Sequence, residues 1–279
     1  MCYIDTKTMK MEYTYKYPHA AITADCVIYG FDGERLKILL VERGVEPCKG
    51  MWALPGGFMK IDETIEETAK RELSEETGLR NVFMTQFKVF SKVDRDPRER
   101  VVTVVFMALV RPSDYMLVAG DDASNALWFE ERFLPPLAFD HEEIIAETHR
   151  YLEELIRLKP VAFELLNKTF SLGELQRVYE EITGKNYDRR NFQRKAVQSG
   201  LLTPVVSKSE CRGMECDCDV VCESVGSRYS AKRPKPGRKP NRLFTFLKKN
   251  SGVDGKKFEG ESRNDSEESD ASIKDLFDF

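Results

Sequence analysis

The sequence predicts an α/β domain, then a small α+β domain built mostly of short helices, and finally a polar tail. Apolar, partly β-branched runs alternate with helical patterns before Pro160, short amphipathic helices follow it, and residues 250–279 are polar and acidic. A chain of 279 residues is also longer than one compact domain usually is. We therefore expect domains at 19–159 and 160–249, between a lead-in at 1–18 and a disordered tail.

Strand-like and helical runs alternate through the first domain. Residues 20–29 and 36–42 are apolar and partly β-branched and flank a Gly-Phe-Asp-Gly turn, so they predict a β-hairpin. A loop at 43–53 leads to a Leu-Pro-Gly-Gly-Phe segment and to a helix at 64–77, which Gly78 ends because glycine accepts left-handed dihedral angles. The later elements are strands at about 82–91, 101–110 and 125–129 and a helix at 141–158 that Asp140 caps and Pro160 ends.

Carboxylates interrupt the apolar face of the first of these helices. Glu72 and Glu76, four residues apart, fall on the apolar stripe, and Glu75 lies beside it. Like charges at this spacing repel, and partial burial increases the cost unless a positive group compensates. A hard cation such as Mg²⁺ or Mn²⁺ is the natural compensation, because it prefers carboxylate oxygens. A solvated acidic face is the alternative, and it suffices for Glu66 and Glu67.

The same segment resembles the Nudix box, in which Gly, five residues, Glu and seven residues precede Arg-Glu-apolar-x-Glu-Glu-x-Gly-apolar. Every fixed position of that pattern is matched. The matching residues are Gly57, Glu63, Arg71, Glu72, Leu73, Glu75, Glu76, Gly78 and Leu79. The resemblance implies an αβα sandwich with a mixed sheet, and it implies hydrolysis of a nucleoside diphosphate linked to another group.

The resemblance also implies a role for individual residues. Glu72 and Glu76 are expected to be the main ligands of Mg²⁺ or Mn²⁺, with Glu75 as a further ligand or as the base. The carbonyl of Gly56 is expected to complete the metal shell. Arg71 is expected to orient the glutamates through charge-assisted hydrogen bonds, so the expected catalytic residues are the three glutamates and this arginine.

The implied reaction needs a proton acceptor as well as a metal. Bound Mg²⁺ would neutralise the diphosphate and lower the pKa of a bound water, a carboxylate would take the proton, and the water would attack phosphorus. A base outside the box is common in the family, and the candidates are Asp121, Asp122, Glu130 and Glu131. Glu63 is expected to be mainly structural.

Two further stretches, 91–106 and 128–143, resemble the ADP-ribose-directed Nudix branch and the related NrtR-type regulators of NAD and sugar metabolism. Arginines in and near them could contact phosphates, and an ordinary surface position is the alternative for each of Arg43, Arg95, Arg98 and Arg100. The ligand-binding residues that we predict are Arg43, Phe58, Arg98 and Arg100. His141 is expected to pack or to cap a helix rather than to catalyse.

A basic pair of helices is predicted in the second domain. Ser171 and Glu174 have capping-box spacing, and they begin an amphipathic helix that Gly184 ends. Asp188 is placed to cap a second helix at 189–199. This arrangement matches a helix-turn-helix, and a small helical domain with a solvated charged face is the alternative. The DNA-binding residues predicted on the second helix are Arg189, Arg190, Gln193, Arg194 and Lys195.

The stretch 172–202 is similar to the winged-helix half of NrtR-type regulators. In that family the second helix enters the DNA major groove, which implies double-stranded DNA as a partner and wing strands at 201–206 and 243–247. Residues 185–249 carry 16 Lys and Arg against 6 Asp and Glu, which favours a polyanionic partner. The sequence departs from the family in its irregular insertion at 207–240, where the family has a short wing.

The cysteines and the hydropathy of the chain bear on its compartment. Four cysteines in the insertion could hold zinc, but their spacing lacks paired C-x-x-C motifs, and a flexible insertion is the alternative for Cys211, Cys216, Cys218 and Cys222. The N-terminus has no apolar signal core, and no stretch approaches the length of a membrane span. We therefore expect a cytoplasmic protein with reduced thiols and no membrane partner.

Three functions fit these patterns. The chain could be an active Nudix hydrolase that binds DNA, a regulator whose Nudix domain only senses an ADP-ribose-like ligand, or a hydrolase whose second domain dimerises or docks a partner. NrtR-type regulators often carry eroded boxes, so the retention of Glu72, Glu75 and Glu76 favours the first function. We also expect a homodimer, because two DNA half-sites need two recognition helices.

Overall fold

The computed structural model of the protein describes residues 16–117, 123–205 and 243–246. Several predictions lie outside these residues: most of the lead-in, the insertion at 207–240 with its four cysteines, the tail at 250–279, and the candidate bases Asp121 and Asp122. No helix in the described part of the chain is long and apolar enough to cross a membrane.

Within the described residues, seven strands of the first domain form one sheet. The strands are β1 (Ala21–Phe31), β2 (Leu36–Arg43), β3 (Trp52–Ala53), β4 (Gly56–Phe58), β5 (Thr85–Phe90), β6 (Val101–Val110) and β7 (Ala123–Glu130). Strand β1 pairs in parallel with β6 and antiparallel with β2, which confirms the mixed sheet and the predicted hairpin. The short strands β3 and β4 are not predicted by the sequence, which indicates a loop at 43–53 and no strand in the Leu-Pro-Gly-Gly-Phe segment that follows.

Helices cover both faces of this sheet. The helices of the protein are α1 (Ile65–Thr77), α2 (His141–Leu158), α3 (Leu172–Thr183) and α4 (Arg189–Gln198). On β1, Cys26 and Ile28 pack in the same cluster as the buried residues of α1, whereas Val27 and Tyr29 pack with those of α2. This alternation follows from the two-residue period of a strand. It places one apolar core on each side of the sheet and confirms the αβα sandwich.

The ends of α1 follow the local sequence, whereas the start of α2 does not. Thr64 forms a capping box with Glu67, and Gly78 ends α1 in the left-handed region at φ 77°. Asp140 occupies the N-cap position of α2, but its side chain makes no capping hydrogen bond and instead pairs with Arg95. The prediction that Asp140 caps α2 is therefore wrong, because its carboxylate is used to neutralise a buried arginine.

The second domain has the predicted pair of helices and a small sheet. Ser171 and Glu174 form the capping box of α3, Gly184 ends it, and Asp188 accepts a hydrogen bond at the start of α4. Phe192 is fully buried against α3, as expected for the inner face of α4. Strand β10 (Leu243–Phe246) pairs antiparallel with β8 (Phe170–Ser171) and β9 (Leu202–Pro204). The two wing strands are confirmed within the described residues, whereas β8 was not predicted.

The two domains are joined by a continuous apolar core. Leu152 and Ile156 of α2 belong to the same buried cluster as Leu175 and Val178 of α3. Around this core, the carboxylate of Glu181 accepts hydrogen bonds from the side chain of Arg35 at 3.1 Å and from the backbone N–H of Leu36 at 3.4 Å. Helix α3 is therefore fixed to the β1–β2 hairpin as well as to α2.

Candidate active site and DNA-binding face

The predicted metal-binding glutamates lie on α1 with graded exposure. The side chain of Glu72 is 15% exposed and that of Glu75 is 58% exposed. Glu76 is partly buried, and its carboxylate accepts a hydrogen bond of 2.9 Å from the backbone N–H of Gly56. The three carboxylates thus share one side of the helix, as predicted, with Glu75 nearest to solvent.

Arg71 occupies the centre of a network of carboxylates, as the resemblance implied. Its guanidinium donates to Glu63 at 2.6 and 2.9 Å, to Glu72 at 2.6 Å and to Glu75 at 3.2 Å. A further hydrogen bond of 3.1 Å reaches the carbonyl oxygen of Phe58. Charge-assisted bonds of this kind fix side-chain orientation, so Arg71 holds two of the candidate ligands in place. The pairing with Arg71 also lowers the pKa of Glu63 to about 2.

Strand β4 lets the glutamates approach the sheet because it has two glycines. A Cβ atom on Gly57 would lie 2.4 Å from a carboxylate oxygen of Glu72. A Cβ atom on Gly56 would lie 2.2 Å from the carbonyl oxygen of Ala24 and 2.7 Å from Oδ1 of Asp25. Any larger residue at either position would have to displace backbone or a buried carboxylate.

Burial and mutual repulsion act on the ionisation of these groups. Burial raises the pKa of Glu76 to about 8, with Glu72 and Asp25 adding to the increase and the hydrogen bond from Gly56 opposing it. Burial also raises the pKa of Glu72, although Arg71 opposes that shift. A cation bound between these carboxylates would compensate both the burial of their negative charge and the repulsion between them.

The donor chemistry of the glutamates fits a hard divalent cation. Among the residues that the structure describes, no three His, Cys, Asp or Glu side chains stand close enough together to hold a metal ion. Glu72 and Glu76 nevertheless offer carboxylate oxygens on one side of α1. Mg²⁺ usually binds proteins through one or two carboxylates, with water and substrate phosphates as its other ligands. The residues present therefore fit such an ion together with a phosphorylated substrate.

Of the predicted ligand-binding residues, Arg43, Arg98 and Phe58 form a stack with Phe139, and Arg100 has a structural role. The guanidinium of Arg98 lies 4.9 Å from the ring centre of Phe58 and 5.6 Å from that of Phe139, and Arg43 lies 4.8 Å from the Phe139 ring. These contacts have cation–π geometry. Arg100 instead donates to backbone carbonyl oxygens, including those of Ser91 and Lys92, which ties down its own loop.

Phe139 is a candidate site residue that the sequence did not indicate. It adopts φ 56°, a left-handed conformation that is unusual for an aromatic residue, and Cys48 nearby adopts φ 64°. Both residues line an open cleft of about 380 Å³ beside the stack, together with Lys92, Asp94, Arg95, Pro97, Asp140 and Glu143. The cleft is the place where a ligand could contact Phe139.

Two residues have other positions than the sequence suggested. Arg95 is buried and pairs with Asp140 and Asp25, so the ordinary surface position considered for it is wrong. Glu131, one of the candidate bases, lies 2.9 Å from His149 of α2, on the side of the sheet opposite α1. Its carboxylate is thereby directed to the domain junction rather than to the other glutamates.

Asp25 is a further candidate site residue that sequence reasoning missed. Its carboxylate is buried on β1 and opposite Gly56 in the sheet register. A single acidic residue in an otherwise apolar strand was the signal that could have identified it, since buried carboxylates are rare unless they are paired.

The predicted DNA-binding residues lie on α4. Arg189, Arg190 and Arg194 are exposed, and Arg194 also contacts the side chain of Asn191 at 3.1 Å. Gln193 and Lys195 are partly buried, so they extend outward less than the three arginines do. The basic surface of α4 is thus presented by a helix that is anchored on its other side.

Family models and known proteins agree with this two-part architecture. A family described as the NUDIX domain matches residues 19–148, and one described as the NrtR DNA-binding winged helix domain matches residues 162–213. The ADPR responsive transcriptional repressor NtrR of Acinetobacter baylyi is 33% identical over 189 residues, which cover 67% of this chain and 76% of the repressor. The chain belongs to the NrtR family of Nudix proteins.

Other similarities of this NrtR-family protein extend to an enzyme and to a DNA complex. The ADP-ribose pyrophosphatase of Methanocaldococcus jannaschii is 44% identical over 135 residues, which cover 48% of this chain and 76% of the enzyme. The crystal structure of Shewanella oneidensis NrtR complexed with a 27mer DNA has a TM-score of 0.60 and 29% identity, covering 81% of this chain and 93% of that chain. The resemblance to NrtR-type regulators is therefore confirmed along both domains.

Proposed function

We propose that this chain is a divalent-metal-dependent Nudix hydrolase that cleaves an ADP-ribose-like nucleoside diphosphate derivative and also binds double-stranded DNA. The observation that carries the hydrolase half is the complete group of Glu72, Glu75 and Glu76, two of them held by Arg71. The similarity to a pyrophosphatase named for ADP-ribose supports the substrate class.

The residues of α1 divide the chemistry among them. Bound Mg²⁺ or Mn²⁺ would neutralise charge on the diphosphate and lower the pKa of a water molecule. Glu72 and Glu76 would hold that ion, with the backbone carbonyl of Gly56 as a further donor. Glu75, the most exposed of the three glutamates, would accept a proton from the attacking water. Arg71 keeps Glu72 and Glu75 in position throughout.

The stack beside the site would bind the rest of the substrate. Arg43 and Arg98 supply positive charge for the diphosphate, and Phe58 and Phe139 supply ring faces for a base or a ribose. The carboxylate of Asp96 holds the guanidinium of Arg98 by accepting hydrogen bonds of 2.7 and 3.0 Å from it. Arg100 contributes by fixing the loop that precedes β6.

The hydrolase proposal is tested by following AMP release from ADP-ribose with Mg²⁺. Glu76→Gln removes a negative oxygen donor with little change in volume, so we expect a loss on the order of 10²- to 10⁴-fold, because a catalytic metal ion contributes several kcal/mol and each step of about 1.4 kcal/mol is tenfold in rate. Glu66→Gln, on the exposed side of the same helix, is the matched control and should hydrolyse ADP-ribose like the wild type. Chelation of the metal should abolish turnover in both. Turnover of Glu76→Gln at the wild-type rate would contradict the proposal.

The DNA-binding half of the proposal rests on α4 and on the similarity to a structure solved with DNA. The exposed residues Arg189, Arg190 and Arg194 would contact phosphates or base edges in the major groove. Gln193 and Lys195, which are partly buried, would extend less far into it. A homodimer would present two such helices to two half-sites. Both activities are consistent with a cytoplasmic protein.

A sensor without hydrolysis is the second candidate function. It is favoured by the similarity to a repressor named for its response to ADPR, which extends over 76% of the length of that repressor. In that case ADP-ribose would bind the stack of Arg98 and Phe139 and alter DNA affinity without release of AMP. The hydrolysis assay with Glu76→Gln separates the two functions, because only the enzyme loses an activity.

A further inference from the structure

A buried arginine holds the face of the sheet opposite the glutamates. The side chain of Arg95 is 4% exposed, and it donates to Asp140 from Nη2 at 2.7 Å and from Nε at 3.0 Å. The same Nη2 lies 3.4 Å from Oδ2 of Asp25. Asp140 begins α2 and Asp25 belongs to β1, so Arg95 ties the start of the helix to the sheet.

Asp25 lies directly against the backbone that contacts the glutamates. It is opposite Gly56 in the antiparallel register of β1 and β4, and its Oδ1 would be 2.7 Å from a Cβ atom at that glycine. The N–H of Gly56 donates to Glu76. The Asp25 side chain therefore lies against the residue whose N–H orients Glu76.

The neighbouring glycine makes the corresponding contact on the other face of the sheet. Gly57 pairs with Ala24, which packs in the α1 cluster, and a Cβ atom at Gly57 would meet the carboxylate of Glu72. Strand β4 is thus a single layer of backbone between Asp25 on the α2 side and Glu72 on the α1 side. Carboxylates therefore lie against this strand on both faces.

The charge on the α2 side makes Arg95 essential to this arrangement. Asp25 and Asp140 are both nearly buried, with side chains that are 9% and 10% exposed, and Arg95 contacts both. His141 is a poor substitute, since its Nδ1 accepts a hydrogen bond of 2.9 Å from the backbone N–H of Leu54 and burial lowers its pKa. Without Arg95, two buried carboxylates would lose their main counter-charge.

We propose that Asp25 and Arg95 form a positioning pair that supports strand β4 from the face of the sheet opposite the metal-binding glutamates. The pair acts on Glu72 and Glu76 through the backbone of Gly56 and Gly57, and neither Asp25 nor Arg95 is proposed as a metal ligand. The role rests on the proposed function of those glutamates. Groups that orient the ligands of a metal commonly contribute on the order of 10- to 100-fold to metal affinity or activity.

The test compares Mn²⁺ affinity and turnover in matched variants of the full-length chain. Asp25→Asn keeps the volume of the side chain but removes its charge, Arg95→Lys keeps the charge but not the paired hydrogen bonds, and Arg95→Met keeps neither. The control is Glu147→Gln, because the Lys88–Glu147 ion pair of 2.6 Å also joins α2 to the sheet but lies away from β4. The dissociation constant of Mn²⁺ is measured by electron paramagnetic resonance without nucleotide, at a temperature where circular dichroism shows each variant to be folded.

We expect Asp25→Asn to weaken Mn²⁺ binding by roughly 10-fold, the lower end of effects seen for groups that orient metal ligands, and to lower kcat for ADP-ribose with little change in KM. Arg95→Lys should retain more Mn²⁺ affinity than Arg95→Met, and Glu147→Gln should bind Mn²⁺ like the wild type.

Wild-type Mn²⁺ affinity in folded Asp25→Asn would overturn the proposal, even if the variant is less stable, because the pair would then be structural only. A weakening of equal size in Glu147→Gln would overturn it too. Wild-type protein that binds Mn²⁺ without turnover contradicts the proposed hydrolysis alone, because the comparison of Mn²⁺ constants still decides the role of Asp25.

Discussion

Helices α1 and α4 both carry charged side chains at a high density, yet the structure uses the charges in opposite ways. On α1, Arg71 binds Glu63, Glu72 and Glu75, and Glu76 is held by backbone, so the charged groups have defined positions before any ligand arrives. On α4, the arginines extend from a helix whose only buried residues are Phe192 and Ala196. A small phosphorylated ligand and a metal need fixed geometry, whereas a polyanion is bound by charge that can adjust to it.

The largest effect that separates the two helices is expected from Arg71→Ala. The change leaves Glu63, Glu72 and Glu75 without their shared counter-charge, so ADP-ribose hydrolysis should fall by roughly 10- to 100-fold or more. DNA affinity should remain that of the wild type, because α4 lies in the other domain. Initial rates of AMP release and equilibrium DNA binding are measured on the same preparation. The exposed Arg80→Ala serves as control, and equal losses in both variants would show that Arg71 has no special role.

A smaller and opposite effect is expected from the double change Arg189→Ala and Arg190→Ala. Each lost phosphate contact should lower the slope of log affinity against log salt by about 1, and a lost base contact should weaken binding by about 1–3 kcal/mol. ADP-ribose hydrolysis should not change. Fluorescence anisotropy of a labelled duplex at several salt concentrations measures both quantities. Arg150→Ala, an exposed arginine of α2, is the control, and an unchanged salt slope in the double variant would remove α4 from the DNA interface.

The smallest effect concerns the junction between the two regions. The carboxylate of Glu131 raises the pKa of His149, with Glu153 contributing further. A raised pKa means that the stabilisation is complete below the unfolded value of about 6.5 and is lost as pH rises through the folded value. The free energy of unfolding should therefore fall more between pH 6 and pH 8.5 in the wild type than in His149→Gln. Urea denaturation measures it, with His19→Gln as control, and identical pH profiles in all three proteins would contradict the assignment.

What the sequence could predict was mostly local. The bounds of α1, α3 and α4 depend on residues next to the helix ends, such as Gly78, Ser171, Asp188 and Gly184, and these act in the structure as expected. Strands β3 and β8 have two residues each and exist through pairing with β2 and β10 respectively, so no periodicity could indicate them.

The candidate site was predictable only where it coincides with a sequence motif. The glutamates of α1 follow a fixed spacing, and the structure places them on one side of the helix. Arg95, Asp140 and Asp25 come from three separate elements, and their charges meet only after the chain has folded. The sequence therefore suggested a surface role for Arg95 and a capping role for Asp140, and neither agrees with the burial of their charges.

The most direct test of a fixed catalytic helix and a DNA-binding helix in one chain follows DNA binding over time. A fluorescent duplex, selected with the wild-type protein from a random-sequence pool, is bound by wild type or by Glu76→Gln, and ADP-ribose is added with Mg²⁺. We expect ADP-ribose to change the anisotropy with both proteins. In the wild type the change should decay as AMP accumulates, and in Glu76→Gln it should persist. Decay at the same rate with both proteins, or no decay with either, would contradict a chain that hydrolyses its own effector.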